Sequence, residues 1–497
     1  MKGLKIYWAL SILAIAVLGA AAVWMGGLNQ DEGWYLYAAN LVAEGKMPYR
    51  DFFYTQGPML PYVYSVFAPI WGAYGVLGAR IFTLALGLLG IVFAADLARR
   101  LVPEGRKETA ALTVVLLLGS NLYQLYYLAI PKTYALAALF VLIGFWLLVK
   151  AGSDGRLLAA GAGVALAFAA GTRISLGALL AVIGVCLLLS RKWRSLSFFS
   201  LGGVAGLALV YLPFLCDAGA REGLIAAQRY HAARGGFDIV WTVGSFSRLV
   251  RWYLPVFVVL GLGVAGMLKV GGWRLKVGQW NLHVLILSFL AVFAVQMLAP
   301  FPYEDYQVPI MGLLAVYAAV NFVKNTTMPL SDLQPATFNL LLVLGLCFAN
   351  SFGSPLLEKW TTNGQDRFWS LKKEEFELPQ LRKVAERIQA LDPDGKELLT
   401  QDLYLAIETG RKVPKGLEMG PFSMLSDAQW RELLGHSTCA LAALSGYTFA
   451  VEPPECRERS LDLQMEYWSI LKRNYEFVER HDVFGQNSTP LLILKRK

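Results

Sequence analysis

The stretch that decides the fold is Ile6 to Tyr35, IYWALSILAIAVLGAAAVWMGGLNQDEGWY. Its first part, Ile6 to Met25, is an apolar run of about 20 residues, which is the length that an α-helix needs to cross a bilayer. The run is longer than the apolar core of a signal peptide, so it predicts an uncleaved spanning helix, although Ala20 to Ala22 would suit a cleavage site. An acidic pair, Asp31-Glu32, follows the run directly.

The composition predicts a membrane domain followed by a soluble one. Of the 497 residues, 56% are hydrophobic and only 16% are charged, against about 25% charged in an average soluble domain. Residues 1–350 hold 25 Lys+Arg and 14 Asp+Glu, whereas residues 351–497 hold 20 and 22. The net charge of +9 therefore arises between the apolar runs, which is typical of membrane topology and argues against a nucleic-acid partner.

The apolar runs predict eleven membrane spans. Their approximate bounds are 6–26, 75–98, 109–128, 133–149, 157–172, 174–190, 196–216, 250–268, 281–299, 306–323 and 336–350. Lys and Arg concentrate on the side of the N-terminus, so the positive-inside rule places that end in the cytoplasm. We therefore expect a multi-pass protein of the cell (plasma or inner) membrane, with residues 351–497 outside the cytoplasm.

The pattern of residues 351–497 predicts a soluble α/β domain. Helical spacing occurs at Leu378–Ala390 and Asp427–Leu434, and strand-like runs occur at Glu397–Thr400, Thr438–Leu444 and Leu491–Lys495. The whole chain is thus predicted to be a mainly α-helical polytopic membrane protein with a C-terminal soluble α/β domain.

Two of the five cysteines, Cys439 and Cys456, lie in this domain. A disulfide between them is compatible with an extracytoplasmic location, but sequence does not give their separation and leaves the pairing open.

Two outer loops are long, at residues 27–74 and 217–249. The first loop is not a polar linker, because Trp34, Tyr37, Leu41 and neighbouring apolar residues follow a helical spacing. Helices of this composition lie in the membrane interface. They either cap the helix bundle or roof a cavity at the membrane surface, and the sequence leaves both open.

Charged residues beside apolar spans are candidate functional residues, because a charge near the bilayer is costly. Asp31 follows the first span closely. A carboxylate with a pKa of about 3.9 is ionised at neutral pH and can therefore act as a general base. Alternatively, Asp31 could cap a helix that begins near Gly33. Lys132 and Arg173 lie at other outer turns, where they could bind an anion or simply extend towards the interface.

The residues around Asp31 form an ordered set. Asp31-Glu-Gly-Trp-Tyr is followed by Ala39-Asn-Leu-Val-Ala-Glu-Gly-Lys-Met-Pro-Tyr-Arg-Asp-Phe-Phe and then by Gln56-Gly-Pro-Met-Leu-Pro-Tyr. Directly after a first span, this set resembles the first outer loop of the GT-C superfamily. More narrowly, it resembles the branch of protein O-mannosyltransferases, lipid A aminoarabinose transferases and their bacterial relatives. The resemblance covers residues 1–350 by topology and about 28–62 by motif.

The resemblance implies roles for individual positions. The family's catalytic aspartate falls on Asp31, and the acidic neighbour found in the mannosyltransferase branch falls on Glu32, so the resemblance implies that both are catalytic. A family acid late in the loop falls near Gln56, and a basic residue of the aminoarabinose transferases falls near Gly57. Neither charge is present here, which argues against lipid A as the acceptor. The Lys or Arg that follows a Gly-rich helix in the family matches Arg173.

Further residues are expected to contact substrate. A late outer loop, which often carries a basic residue before Tyr in relatives, is acidic here. The expected substrate contacts are Asp51, Gln56, Glu304, Asp305 and Tyr306. Arg173 and Lys132 are expected to bind the donor phosphate, since Arg in particular donates paired hydrogen bonds to phosphate.

The function implied is transfer of a hexose or pentose from a polyprenyl-phosphate donor to an acceptor hydroxyl on the outer face of the membrane. Asp31 would accept the hydroxyl proton, and a single displacement predicts inversion at the anomeric carbon. The acids could hold a divalent metal, but no ligand set is evident and no cofactor is certain. The sugar is open, and so is the acceptor, which is a protein, a lipid or a glycan.

Two other functions remain open from the sequence. One is a transporter or flippase of lipid-linked sugars, although such proteins typically carry mid-membrane charges and inverted repeats. The other is a non-catalytic assembly subunit that uses the C-terminal domain for docking.

Overall fold

The computed structural model describes residues 2–152, 155–233, 235–269, 280–325, 335–363, 371–372, 375–423, 425–446 and 461–497. In the membrane part, the helices are α1 (Lys2–Trp24), α2 (Gln30–Ala43), α3 (Met59–Ser65), α4 (Ala68–Arg100), α5 (Lys107–Gly119), α6 (Leu122–Ala129), α7 (Thr133–Ala151), α8 (Arg156–Thr172), α9 (Ala178–Leu189), α10 (Trp193–Cys216), α11 (Ala218–Ala232), α12 (Ile239–Trp252), α13 (Leu254–Lys269), α14 (Trp280–Met297), α15 (Val308–Asn325) and α16 (Pro335–Phe352). In the remainder, they are α17 (Pro355–Thr361), α18 (Glu377–Leu391), α19 (Leu403–Thr409), α20 (Asp427–His436) and α21 (Leu461–Asn474).

Every predicted span falls on a helix or on a pair of successive helices, and some of the helices are too short to cross a membrane. Within the described residues, seven helices are long and apolar enough to cross a membrane, and two bent pairs raise the number to nine if each pair is one span. The pairs bend by 70° between α5 and α6 and by 83° between α12 and α13. Eleven is reached only by adding two shorter apolar helices, Arg156–Thr172 and Ile174–Leu189.

The first outer loop folds into helices, as its composition predicts. α2 and α3 form there, and α4 begins with a short outer part that ends at Gly75. Gly75 has φ 61° and ψ −154°, a conformation that favours glycine and breaks the helix. The spanning part of α4 therefore starts after Gly75, close to the predicted boundary. The second outer loop likewise contains α11 and most of α12.

The C-terminal part that the sequence predicts to be soluble, called the soluble part below, contains a small antiparallel sheet. Its strands β3 (Leu441–Ser445), β4 (Tyr475–Phe484) and β5 (Thr489–Arg496) lie in the order β3-β5-β4, and β1 (Thr362–Asn363) pairs with β2 (Leu371–Lys372). The two predicted helices and the strand at Leu491–Lys495 are confirmed.

The other strand predictions need correction. The strand predicted at Thr438–Leu444 begins only at Leu441, as β3. Glu397–Thr400 is not a strand, because it makes only isolated bridges to Lys412 and Ala442. β4 was not predicted, because its charged residues interrupt the alternation of apolar and polar residues that indicates a strand. Cys456 lies outside the described residues, and so does its pairing with Cys439.

The soluble part packs on the first outer loop. One buried apolar cluster joins residues of α2, among them Leu36, to residues of α19 and β5, among them Leu403 and Ile493. A second cluster fills the membrane bundle around α5, α7 and α15. The first outer loop and the soluble part thus share a core, which places residues 28–35 between the bundle and the C-terminal region.

A fully buried ion pair fixes the exit of α1. Arg80 of α4 pairs with Glu32 at 2.7 Å, and neither side chain is exposed. Arg80 also donates to the carbonyl oxygens of Val23, Gly26 and Gly27, at 2.8 to 3.1 Å. The guanidinium is therefore satisfied by one carboxylate and by the backbone that leads out of the membrane.

Replacing Arg80 with Met should destabilise the protein strongly. The change leaves the Glu32 carboxylate and three carbonyl groups buried without their partner, and breaking a buried pair in this way costs about 3–5 kcal/mol. Thermal unfolding in one detergent would measure the loss. Arg50→Met is the control, because Arg50 pairs with Asp51 at the surface, where such pairs are worth about 0–1 kcal/mol. Equal unfolding temperatures for the two variants would contradict the expectation.

Candidate active site

A cavity of about 490 Å³ lies between the first outer loop, the turns before α7 and after α8, the loop before α15 and the soluble part. Seven of the nine predicted site residues line it. They are Asp31, Gln56, Lys132, Arg173, Glu304, Asp305 and Tyr306. Residues from turns that are distant in sequence thus meet in one chamber.

Asp31 faces this chamber from the first turn of α2. The N-cap of that helix is Asn29, whose side chain accepts from the backbone N–H of Asp31 at 3.0 Å. Asp31 is therefore not the capping residue, and its carboxylate is available for other contacts. Its Oδ1 accepts from the indole N–H of Trp34 at 3.1 Å, and its Oδ2 lies 2.7 Å from Nζ of Lys132.

The surroundings keep Asp31 ionised. Burial alone would raise the pKa of this carboxyl, but the neighbouring ammonium of Lys132 and the hydrogen bonds from Lys132 and Trp34 outweigh it, so the pKa lies below its ordinary value. The carboxylate is thus present near neutral pH, as a general base requires. Its side chain remains 29% exposed, so a substrate hydroxyl can approach it.

Lys132 links Asp31 to a second acid. Its Nζ lies 3.4 Å from Oδ2 of Asp305, and that same oxygen accepts from the hydroxyl of Tyr134 at 2.7 Å. The ammonium therefore stands between two carboxylates of the cavity wall. Among the residues that the structure describes, no group of three or more His, Cys, Asp and Glu side chains is arranged to hold a metal ion.

Arg173 is placed to receive an anion. Its guanidinium lies between the rings of Tyr134 and Tyr306, 4.9 and 4.7 Å from their centroids. Nη1 donates to Oγ1 of Thr133 at 3.0 Å, whereas the buried Nε has no hydrogen-bond partner within the described part of the chain. No carboxylate of that part forms an ion pair with Arg173. The two rings hold a cation whose remaining donors are unused.

Two predicted site residues lie elsewhere. Glu32 is fully buried against Arg80 and also accepts from the backbone N–H of Asn29 at 2.9 Å. Asp51 pairs with Arg50 at 2.9 Å on the surface and accepts from the N–H of Met47. Neither lines the cavity, so the structure places both of them outside the chamber that holds Asp31. Successive helical residues point about 100° apart, and only one acid of the pair can face the chamber.

Several cavity residues were missed by the sequence analysis. Tyr134 follows Lys132 by two residues and could have been found from the same turn. Tyr230 and His231 come from the second outer loop, and Met419, Phe422 and Gln486 come from the soluble part. Nothing in the local sequence of these last three indicates a site, because only packing brings them to the wall.

Gly57 explains one departure from the family pattern. A Cβ at position 57 would lie 2.1 Å from the carbonyl oxygen of Gly171, so the first outer loop and the end of α8 touch backbone to backbone. A basic side chain, which the resemblance to the aminoarabinose transferases implied near this position, therefore cannot fit here without moving the turn that bears Arg173.

Comparisons with known proteins agree with this architecture. A family model described as dolichyl-phosphate-mannose-protein mannosyltransferase matches residues 55–216. This segment runs from the first outer loop to the end of α10 and includes Gln56, Lys132 and Arg173. A search of curated protein sequences finds no match.

Solved structures with the same fold share little sequence with this chain. ArnT from Cupriavidus metallidurans bound to undecaprenyl phosphate has a TM-score of 0.64 at 14% identity, with 98% of this chain and 97% of that chain covered. The oligosaccharyltransferase AglB from Archaeoglobus fulgidus, in complex with an inhibitory peptide and a dolichol-phosphate, has a TM-score of 0.52 at 12% identity, with 98% and 74% covered. The chain therefore shares its fold with ArnT and AglB, and it resembles the GT-C membrane glycosyltransferases.

Proposed function

We propose that this protein transfers a sugar from a polyprenyl-phosphate donor to an acceptor hydroxyl. One observation carries the proposal: the ionised carboxylate of Asp31 and the unpaired guanidinium of Arg173 line the same cavity. The carboxylate can act as a general base, and the guanidinium can bind a phosphate. The similar structures support the donor class, because ArnT was solved with undecaprenyl phosphate and AglB with a dolichol-phosphate.

The reaction proposed is a single displacement. The acceptor oxygen forms a bond to the anomeric carbon while the bond from that carbon to the phosphate oxygen breaks. The electron pair leaves with the polyprenyl phosphate, whose charge Arg173 and Lys132 stabilise, and the hydroxyl proton passes to Asp31. Attack opposite the leaving group inverts the anomeric carbon. Gln56, Glu304, Asp305 and Tyr306 are proposed to contact the sugar or the acceptor.

The two cations of the cavity wall, Lys132 and Arg173, are proposed to have different roles. Lys132 already pairs with Asp31 and Asp305. It therefore holds the base in place, and its positive charge is partly neutralised before a phosphate binds. Arg173 has no such partner in the described chain and is the stronger phosphate site. Both charges act in a partly enclosed space, where they stabilise a leaving anion better than in water.

The membrane placement is part of the proposal. Residues 1–350 would form the transmembrane catalytic domain and residues 351–497 an extracytoplasmic domain, with the N-terminus in the cytoplasm of a cell membrane. The core shared by α2 and the soluble part supports this, because it requires the first outer loop and the described residues after 375 to lie on one side. The acceptor, whether protein, lipid or glycan, would reach Asp31 from that side.

The proposal is tested by donor turnover. The purified full chain would be incubated with undecaprenyl-phosphate-linked mannose, aminoarabinose and arabinofuranose, each with a labelled sugar, and release of undecaprenyl phosphate would be measured with heat-inactivated protein as the blank. Release above the blank from at least one donor is expected. No release from any donor, together with movement of intact donor across a liposome membrane, would instead indicate a transporter.

Replacing Gly57 with Ala should weaken phosphate binding. The added methyl group cannot share space with the carbonyl of Gly171, so the end of α8 and Arg173 must move. Because a hydrogen bond to a charged group contributes about 1.5–3 kcal/mol and each 1.4 kcal/mol is a factor of ten, we expect the Kd for undecaprenyl phosphate to rise at least about tenfold. Gly72→Ala is the control, since a Cβ there meets no atom within 4 Å. An unchanged Kd for Gly57→Ala would show that this close approach does not set the site.

A further inference from the structure

Residues 28–30, which precede Asp31, form hydrogen bonds with three residues of the soluble part. The backbone N–H of Leu28 donates to Oε2 of Glu377 at 2.6 Å, and that of Gln30 donates to Oε1 of Gln486 at 2.7 Å. The side-chain amide of Gln30 donates to Oδ1 of Asp402 at 2.6 Å. Three residues of the soluble part therefore hold the two residues that flank the N-cap of α2.

One of these contacts provides an acceptor for a backbone N–H group at the start of α2 that has no acceptor within the helix. The first N–H groups of an α-helix have no acceptor within the helix. In α2, Asn29 and Glu32 form a local capping box, and Gln486 supplies the acceptor for Gln30. Gln486 lies between β4 and β5, beside Gly485, whose φ of 70° belongs to the turn. The turn thus completes the helix start that carries Asp31.

Close backbone packing fixes the same region. A Cβ at Gly33 would lie 2.3 Å from the backbone nitrogen of Tyr404, so α2 and α19 touch directly two residues after Asp31. On the opposite side, Arg80 binds the carbonyl oxygens of Gly26 and Gly27. The start of α2 is therefore held between a spanning helix and the soluble part.

We propose that the soluble domain is a positioning element of the active site, in which Glu377, Asp402 and Gln486 hold residues 28–30 so that the Asp31 carboxylate faces the cavity. The inference rests on the proposed function and adds to it. The capping box sets only the local geometry of α2, whereas these three contacts set where the helix begins relative to Lys132 and Arg173. The soluble domain then acts on the rate of the reaction itself, besides any contact it makes with an acceptor.

Asp402 offers the sharpest test, because one of its replacements keeps the hydrogen bonds and another removes them. Its Oδ1 accepts from Gln30 and also from the hydroxyl of Tyr404 at 2.8 Å. Burial raises the pKa of this carboxyl, so a neutral amide of the same shape is well tolerated. Asp402→Asn retains the acceptor oxygen, and Asp402→Leu has a similar volume without it.

The experiment measures kcat and KM for the undecaprenyl-phosphate-linked sugar that turns over in the donor panel. For Asp402→Leu we expect kcat to fall about 10- to 100-fold, as for a base displaced by about 1 Å, while KM stays within about twofold. Asp402→Asn should keep kcat within about threefold. Gln486→Ala should also lower kcat, and it leaves the buried core untouched because Gln486 is a half-buried residue of the turn between β4 and β5.

Lys412→Ala is the matched control. Lys412 also joins the soluble part to α2, but at the other end of the helix, through Glu44 at 2.7 Å. Its loss should leave kcat unchanged. Wild-type kcat in Gln486→Ala and Asp402→Leu, or an equal loss in Asp402→Asn and Asp402→Leu, would overturn the inference. Wild-type turnover by Asp31→Asn would overturn the proposed function instead, so the two failures are distinguishable.

Discussion

Replacement of Asp31 by Asn should reduce turnover by at least about 10²–10⁴-fold, which is the contribution that a positioned general base typically makes. The amide cannot accept the proton of the acceptor hydroxyl. Its shape and its oxygen remain, so Trp34 can still donate to it, and Lys132 keeps its contact with Asp305. The fold should therefore survive. The measurement is release of undecaprenyl phosphate under saturating donor, alongside the unfolding temperature of the variant.

The control for this variant is Asp51→Asn. Asp51 belongs to the same outer loop and is also paired with a basic residue, but it lies on the surface outside the cavity. It should turn over donor at the wild-type rate. If Asp31→Asn retained turnover within about twofold of wild type, Asp31 could not be the base, and the structural resemblance would remain without this mechanism.

Replacement of Arg173 by Ala should weaken binding of the donor. A hydrogen bond to a charged group contributes about 1.5–3 kcal/mol, and each 1.4 kcal/mol corresponds to a factor of ten, so KM for the donor should rise roughly 10- to 100-fold. The Kd for undecaprenyl phosphate should rise by a similar factor, because the sugar does not contribute to that contact. Both quantities are measurable on the purified full chain.

Two further substitutions separate charge from geometry at this position. Arg173→Lys keeps the charge but loses the planar group that stacks between Tyr134 and Tyr306, so it should recover only part of the affinity. Arg221→Ala is the control, since Arg221 is an exposed residue of α11 outside the cavity. An unchanged Kd in Arg173→Ala, or an equal rise in Arg221→Ala, would remove Arg173 from the phosphate site.

The sequence predicts the helices well and the site only in part. Apolar runs such as Ile6–Met25 must become helices in lipid, because every backbone polar group there has to be satisfied within the segment. The outer turns with Lys132 and Arg173 could also be identified, since charge beside a span is costly and rarely accidental. These arguments do not predict which way each side chain faces. Asp31 and Glu32 are adjacent and chemically alike, yet one faces the cavity and the other faces Arg80.

The amino-acid sequence by itself thus predicted the apolar helices, the C-terminal region with its own helices and strands, and the acid worth testing, because these follow from hydropathy, charge distribution and a local motif. Only the tertiary structure decided that Arg173 lies between two tyrosine rings, that Gly57 leaves no room for a side chain, and that Gln486 reaches residue 30. Such contacts join positions up to 456 residues apart. They depend on how elements pack, and no local pattern in either partner records them.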